Sequence, residues 1–147
     1  MLPEWSGDYI GLPYRWGARG PEAFDCWGLV EGVMRTRFAV DLPSLRSPDA
    51  EDDFAGMARV ANEQAGGFVR LFGREHWRDA LVWPSPAERP GDIVLMRRGA
   101  FPCHVGVVVA SDWMIHCQAG IGVAGAQLRH GAEARNILAL YRHPDLI

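Results

Sequence analysis

At Arg89-Pro90-Gly91-Asp92 the hydrophobic pattern of this chain changes period. Before that turn signal, apolar residues recur every three or four positions, as on a helix with one buried face. After it they come in short alternating or continuous runs at 93–96, 104–110, 113–118, 123–128 and 137–142, which is the pattern of antiparallel strands joined by turns. Helices first and strands after define an α+β domain, with the helical half packed on one face of a sheet of about five strands. At 147 residues and 48% hydrophobic content, the chain supports one core and not two, so a single domain is expected over residues 1–147. No internal repeat interrupts it.

The helical half carries the most informative stretch, Y-R-W-G-A-R-G-P-E-A-F-D-C-W-G-L-V-E-G-V-M from Tyr14 to Met34. Its first part is a Gly-rich loop. Its second part has Cys26, Leu29, Val30, Val33 and Met34 on one helical face, and the helix should run to about Phe38. Asp25 is a good N-cap, which puts Cys26 in the first turn, where free N–H groups and the helix dipole favour a thiolate. A cysteine so placed serves as a nucleophile; one on an apolar stripe also serves as a small core residue.

Around this helix the reading is plainer. Residues 2–13 suit a short helix ending near Gly11 and Pro13, and 40–45 should be extended because Pro43 forbids helical geometry before it. A helix should open at Ser47-Pro48-Asp49 and close near Gly66-Gly67, followed by one or two short helices over 68–83. The segment at about 41–90 therefore reads as a helical insert with no chemical motif.

Composition removes several function classes. A net charge of -3 and a pI near 5.9 argue against a nucleic-acid partner. The first ten residues lack a basic region followed by an apolar core, so no signal peptide is expected, and no run is long enough for a membrane span. Cys26, Cys103 and Cys117 are an odd number without a C-x-x-C pair; reduced thiols and synthesis in the cytoplasm follow.

Two histidines stand in the strand half: His104 opens H-V-G-V-V-V-A and His116 lies in W-M-I-H-C-Q. A strict two-residue loop at Ser111-Asp112 would put them on opposite faces, whereas one extra loop residue or one bulge puts them on the same face. In the second case a Cys–His–polar triad is available: Cys26 as nucleophile, His104 as base, His116 as the group that orients His104, and the Cys26 N–H as oxyanion donor. A zinc site from Cys103, His104, His116 and Cys117 is the weaker alternative, because neighbours on a strand point to opposite faces. No metal or other cofactor is called for.

The blocks P-Y-R-W-G, F-D-C-W-G-L-V, P-G-D-I-V-L-M, H-V-G-V-V-V and M-I-H, in this order, resemble those of the NlpC/P60 cysteine peptidases. The resemblance implies a papain-like fold and hydrolysis of peptidoglycan stem peptides, usually between γ-D-glutamate and the diamino acid. By that resemblance Cys26 is the nucleophile, His104 the base and His116 the third polar residue. Tyr14 would lie near the catalytic centre, Asp25 would help hold a substrate amine, and Trp27 would stand where many members have a substrate-contacting serine. D-C-W-G-L-V followed by L-P-S is similar to the branch found in phage tail-tip proteins, which implies tail proteins as partners and a virion or tail-like particle as destination. A non-catalytic wall-binding or tail-assembly module, an amidase and an acyltransferase are the alternatives.

Overall fold

The computed structural model describes residues 1–45, 63–66, 68, 78–81 and 87–146. A 3-10 turn at Glu4–Asp8 stands where a short helix was expected. Helix α1 spans Cys26–Phe38. Six strands follow: β1 at Arg78–Leu81, β2 at Ile93–Arg98, β3 at Phe101–Ala110, β4 at Trp113–Gln118, β5 at Gly122–Gln127 and β6 at Ile137–Arg142. They form one antiparallel sheet in the order β1-β6-β2-β3-β4-β5, so the architecture is α+β. Five of the strands coincide with the five apolar runs. The sixth, β1, lies in a region read as helical, and its pairing with β6 at the sheet edge is a long-range contact that local periodicity does not carry. Most of the expected 47–67 helix and the 69–77 and 82–86 portions of the next region lie outside the described residues; 63–66 and 68 are helical.

Each face of the sheet buries its own cluster. On one face Leu29, Val30, Val33 and Met34 of α1 pack against Ile93, Leu95, Val105, Val107, Val109, Ile115 and Cys117. On the other, Val94, Met96, Val108 and Met114 meet Leu128, Ile137 and Leu140. Burial on both faces explains why β2 and β3 read as continuous apolar runs. Each fully buried Val, Leu, Ile or Met contributes roughly 1.5–3 kcal/mol, so the sheet is a rigid base for whatever its strand ends carry.

Two local devices frame it. Ala39 adopts a left-handed φ of 54° at the end of α1, letting the Val40 N–H return to the Met34 carbonyl at 3.1 Å. At the start of β2, Asp92 takes both guanidinium arms of Arg142, Nε to Oδ1 and Nη2 to Oδ2, each at 2.8 Å, and also accepts the Arg89 N–H. That buried pair ties the first residue of the strand half to the last strand. No helix among the described residues is long and apolar enough to cross a membrane.

Candidate active site

The site begins with a capped helix. Asp25 has extended backbone geometry and its Oδ1 accepts the Gly28 N–H at 2.7 Å, the N-cap bond that the sequence predicts. Its Oδ2 accepts the Gly17 N–H at 3.2 Å, and Arg19 reaches Oδ1 at 2.7 Å. Gly28 has a specific reason to be glycine: a Cβ there would lie 2.2 Å from the Ala18 carbonyl oxygen, so only glycine lets the loop cross the first turn. Together these contacts clamp the Arg15–Phe24 loop over the helix start, where Cys26 is buried.

The second part is the β3–β4 hairpin. Ala110 pairs with Trp113 around the two-residue turn, and Asp112 takes a φ of 62°. The register then shifts between Val108 and Ala110, so Val109 is a bulge and Gly106 faces His116. That single extra residue puts both histidines on the face away from α1, with His104 Nε2 and His116 Nδ1 2.9 Å apart. Gly106, opposite His116, has little room for a side chain, since a Cβ there would stand 3.0 Å from the Ile115 carbonyl oxygen and 3.2 Å from the His116 Cβ.

Cys26 approaches from the opposite face, and the meeting point is a split between strands. Val108 directs both its N–H and its C=O to the β2 side, toward Asp92 and Gly91. By strand alternation the Val105 N–H points to the β4 side, where the β3–β4 ladder has ended at the Gly106–His116 pair. That N–H is the backbone group whose proximity favours the thiolate form of Cys26. The thiol is thereby set against the peptide joining His104 to Val105. Among the described residues, the Gln64 side-chain amide donates to the sulfur, Nε2 to Sγ at 3.2 Å.

Burial governs the protonation states. It pushes the Cys26 thiol up to about 12, with the Asp25 charge adding to the rise; the Val105 and Gln64 N–H groups pull it back only partly. His104 is held well below the usual imidazole range by burial, then by the positive charge of Arg98 and by His116. Burial also lowers His116, partly offset by Glu133. The expectation of a standing thiolate is therefore corrected: the resting groups are a neutral thiol and a neutral imidazole, because desolvation outweighs the helix end.

The remaining expected residues divide. Tyr14 borders the site; burial raises its phenol, and the Cys26, Asp25 and Cys117 charges add to that shift. Asp25 is 3% exposed and already engaged by Gly17, Gly28 and Arg19, so its part here is to cap the helix. Trp27 departs from expectation as a substrate contact. Its indole is 2% exposed, donates to the Pro43 carbonyl at 3.0 Å and packs on Phe68 at 5.7 Å, because the second position of α1 points into the core. Cys117 points to the α1 face and donates to the Phe24 carbonyl at 3.2 Å.

Two groups near the site were not among the expected site residues. Gln64 comes from the insert read as chemically silent. Arg98, from the end of β2, pairs with Glu133 through two contacts at 3.0 and 3.2 Å and reaches the Gln118 amide oxygen at 3.2 Å, forming a charged frame beside His116. Their spacing of 35 residues has no local pattern.

Residues 11–142 match the NlpC/P60 family model, and the chain belongs to the NlpC/P60 family. It is 28% identical over 138 residues to the murein DD-endopeptidase MepS/murein LD-carboxypeptidase of Escherichia coli strain K12, covering 90% of this chain and 59% of that protein. It is 27% identical over 110 residues to the probable endopeptidase p60 of Listeria grayi, covering 75% of this chain and 16% of the relative. The chain thus spans between 16% and 59% of these relatives. Its fold is shared with NlpC1 from Trichomonas vaginalis, at a TM-score of 0.61 and 20% identity over 93% of this chain and 41% of that one. The NlpC/p60 domain of the peptidoglycan hydrolase SagA gives a TM-score of 0.57 and 18% identity over 92% of this chain and 91% of that domain.

Proposed function

We propose that this chain is a cysteine peptidase of peptidoglycan stem peptides, acting through Cys26, His104 and His116. Two observations carry the reading: Cys26 is buried at the capped start of α1, and His104 Nε2 lies 2.9 Å from His116 Nδ1. With Nε2 donating to His116, Nδ1 is the His104 nitrogen left to take a proton. The thiol proton passes to that nitrogen as Sγ bonds to the substrate carbonyl carbon and the π pair moves to oxygen. Collapse of the adduct breaks the C–N bond, the amine leaves with the proton from His104, and water hydrolyses the thioester. Because the resting pair is neutral, His104 works as a general base during attack rather than as half of a standing ion pair. The Cys26 N–H, at the first position of α1, is an oxyanion donor without an intrahelical acceptor.

The substrate class rests on the relatives, whose names specify murein endopeptidase and endopeptidase activity. The bond between γ-D-glutamate and the diamino acid is the favoured site of cleavage. Incubation of the protein with a stem peptide and with cross-linked muropeptides, read by mass spectrometry, tests this. Release of a diamino-acid-terminated fragment supports it, cleavage of the cross-link alone moves the bond, and intact substrates end the reading. The motif D-C-W-G-L-V with L-P-S favours a phage tail as the setting, and recovery of the chain in purified tail particles from a lysate is the corresponding test.

A further inference from the structure

Gln64 is placed at the nucleophile by a segment that the sequence reads as structural filler. Its carboxamide Nε2 lies 3.2 Å from the Cys26 sulfur, and the side chain is half-buried on a helical stretch whose neighbour Ala65 is buried. Resting on the reading that Cys26 is an acyl-transfer nucleophile, we infer that Gln64 supplies a side-chain donor to the oxyanion formed when Cys26 attacks a carbonyl.

The argument is geometric. When Sγ bonds to a carbonyl carbon, the carbonyl oxygen sits one bond beyond that carbon, within reach of a donor already at hydrogen-bond distance from sulfur. A thiol is a weak acceptor, whereas the oxyanion is a strong one, so the amide gains far more from the adduct than it gives up at the thiol. That difference between ground and transition state is the kind of contact that raises a rate. The Val105 N–H is not equivalent, because it is fixed in the plane of the sheet, whereas the glutamine amide moves on its own rotors. Together with the Cys26 N–H at the helix start, Gln64 gives the pair of donors that an acyl-transfer site needs.

The experiment compares two reactions of Cys26 that differ only in whether an oxyanion forms. Acylation by p-nitrophenyl acetate passes through a tetrahedral oxyanion and expels p-nitrophenolate, leaving an acetyl thioester on Cys26. Alkylation by iodoacetamide displaces iodide at a saturated carbon and forms none. Both are measured on the full chain, with the modified cysteine assigned by peptide mass spectrometry, in wild type, Gln64→Ala and Gln64→Met; methionine fills the same space without a donor. The expected result is a loss of about 100-fold in acylation in both variants beyond any loss in alkylation, which reports the change in thiolate content alone. A parallel loss in both reactions, an unchanged acylation rate, or a wild-type Cys26 that takes no acetyl group each overturns the assignment. Wild type that shows Gln64-dependent acylation but leaves stem peptides intact removes the proposed substrate and keeps the role of Gln64.

Discussion

His104 and His116 lie 2.9 Å apart, Nε2 to Nδ1, even though a two-residue turn joins their strands. Such a turn alone would have sent the rings to opposite faces. The bulge at Val109 adds the one residue that corrects the parity. The contact is therefore a product of strand register as much as of residue identity.

Removing members of the proposed triad should separate chemistry from folding. Cys26→Ala should abolish stem-peptide hydrolysis, and His104→Gln should lower kcat about 10²–10⁴-fold. His116→Leu, which cannot accept from His104, should lower kcat with little change in KM. Far-UV circular dichroism and thermal melting should show all three folded, and hydrolysis by Cys26→Ala at the wild-type rate would sink the mechanism.

The neutral resting pair has a kinetic signature. With the Cys26 thiol pushed up to about 12, its alkylation by iodoacetamide should keep rising with pH above 8. A plateau reached below pH 7 would instead reveal a standing thiolate and overturn the general-base description.

The buried histidines also set a stability profile. Both have pKa values below that of the unfolded chain, so below about pH 6.5 the unfolded state takes up protons that the folded state refuses. Their stabilisation is complete above that pH and is lost as pH falls, at up to about 1.4 kcal/mol per pH unit for each histidine. Urea unfolding midpoints from pH 7.5 to 5 should decline, and the decline should be shallower in His116→Leu. Identical slopes in the two proteins would show that His116 is not the group responsible.

Trp27 should behave as a core residue. Trp27→Phe keeps an aromatic ring against Phe68 but loses the donor to the Pro43 carbonyl, so the expected cost is about 1 kcal/mol. KM for a stem peptide should be unchanged, and a large rise in KM at full stability would return Trp27 to the substrate pocket.

Breaking the Asp92–Arg142 pair should be the costliest of these changes away from the site. Both groups are buried, so Arg142→Met leaves the Asp92 charge without its main partner at an expected cost of about 3–5 kcal/mol, measured by urea unfolding at pH 7. A loss below 1 kcal/mol would mean that water or the Arg89 N–H satisfies Asp92 on its own.

Where the determinants were local, the residues alone carried the answer. Asp25 as cap, α1 from Cys26 to Phe38 and the five apolar runs that became β2 to β6 follow from spacing of a few residues, because capping and hydrophobic period act over one or two turns, whereas the candidacy of Cys26, His104 and His116 drew on the family resemblance. The sequence also posed the hairpin question sharply, as a choice between a strict turn and a bulge, but did not answer it. Tertiary structure decided that choice at Val109, turned Trp27 into the core, brought Gln64 to the thiol and Arg98 with Glu133 to His116, and paired β1 with β6. It also reversed the expected charge state of Cys26, since the helix end acts through neighbouring N–H groups whereas desolvation depends on everything packed around the sulfur. Contacts between residues tens of positions apart leave no period in the chain, and burial is a property of the whole fold.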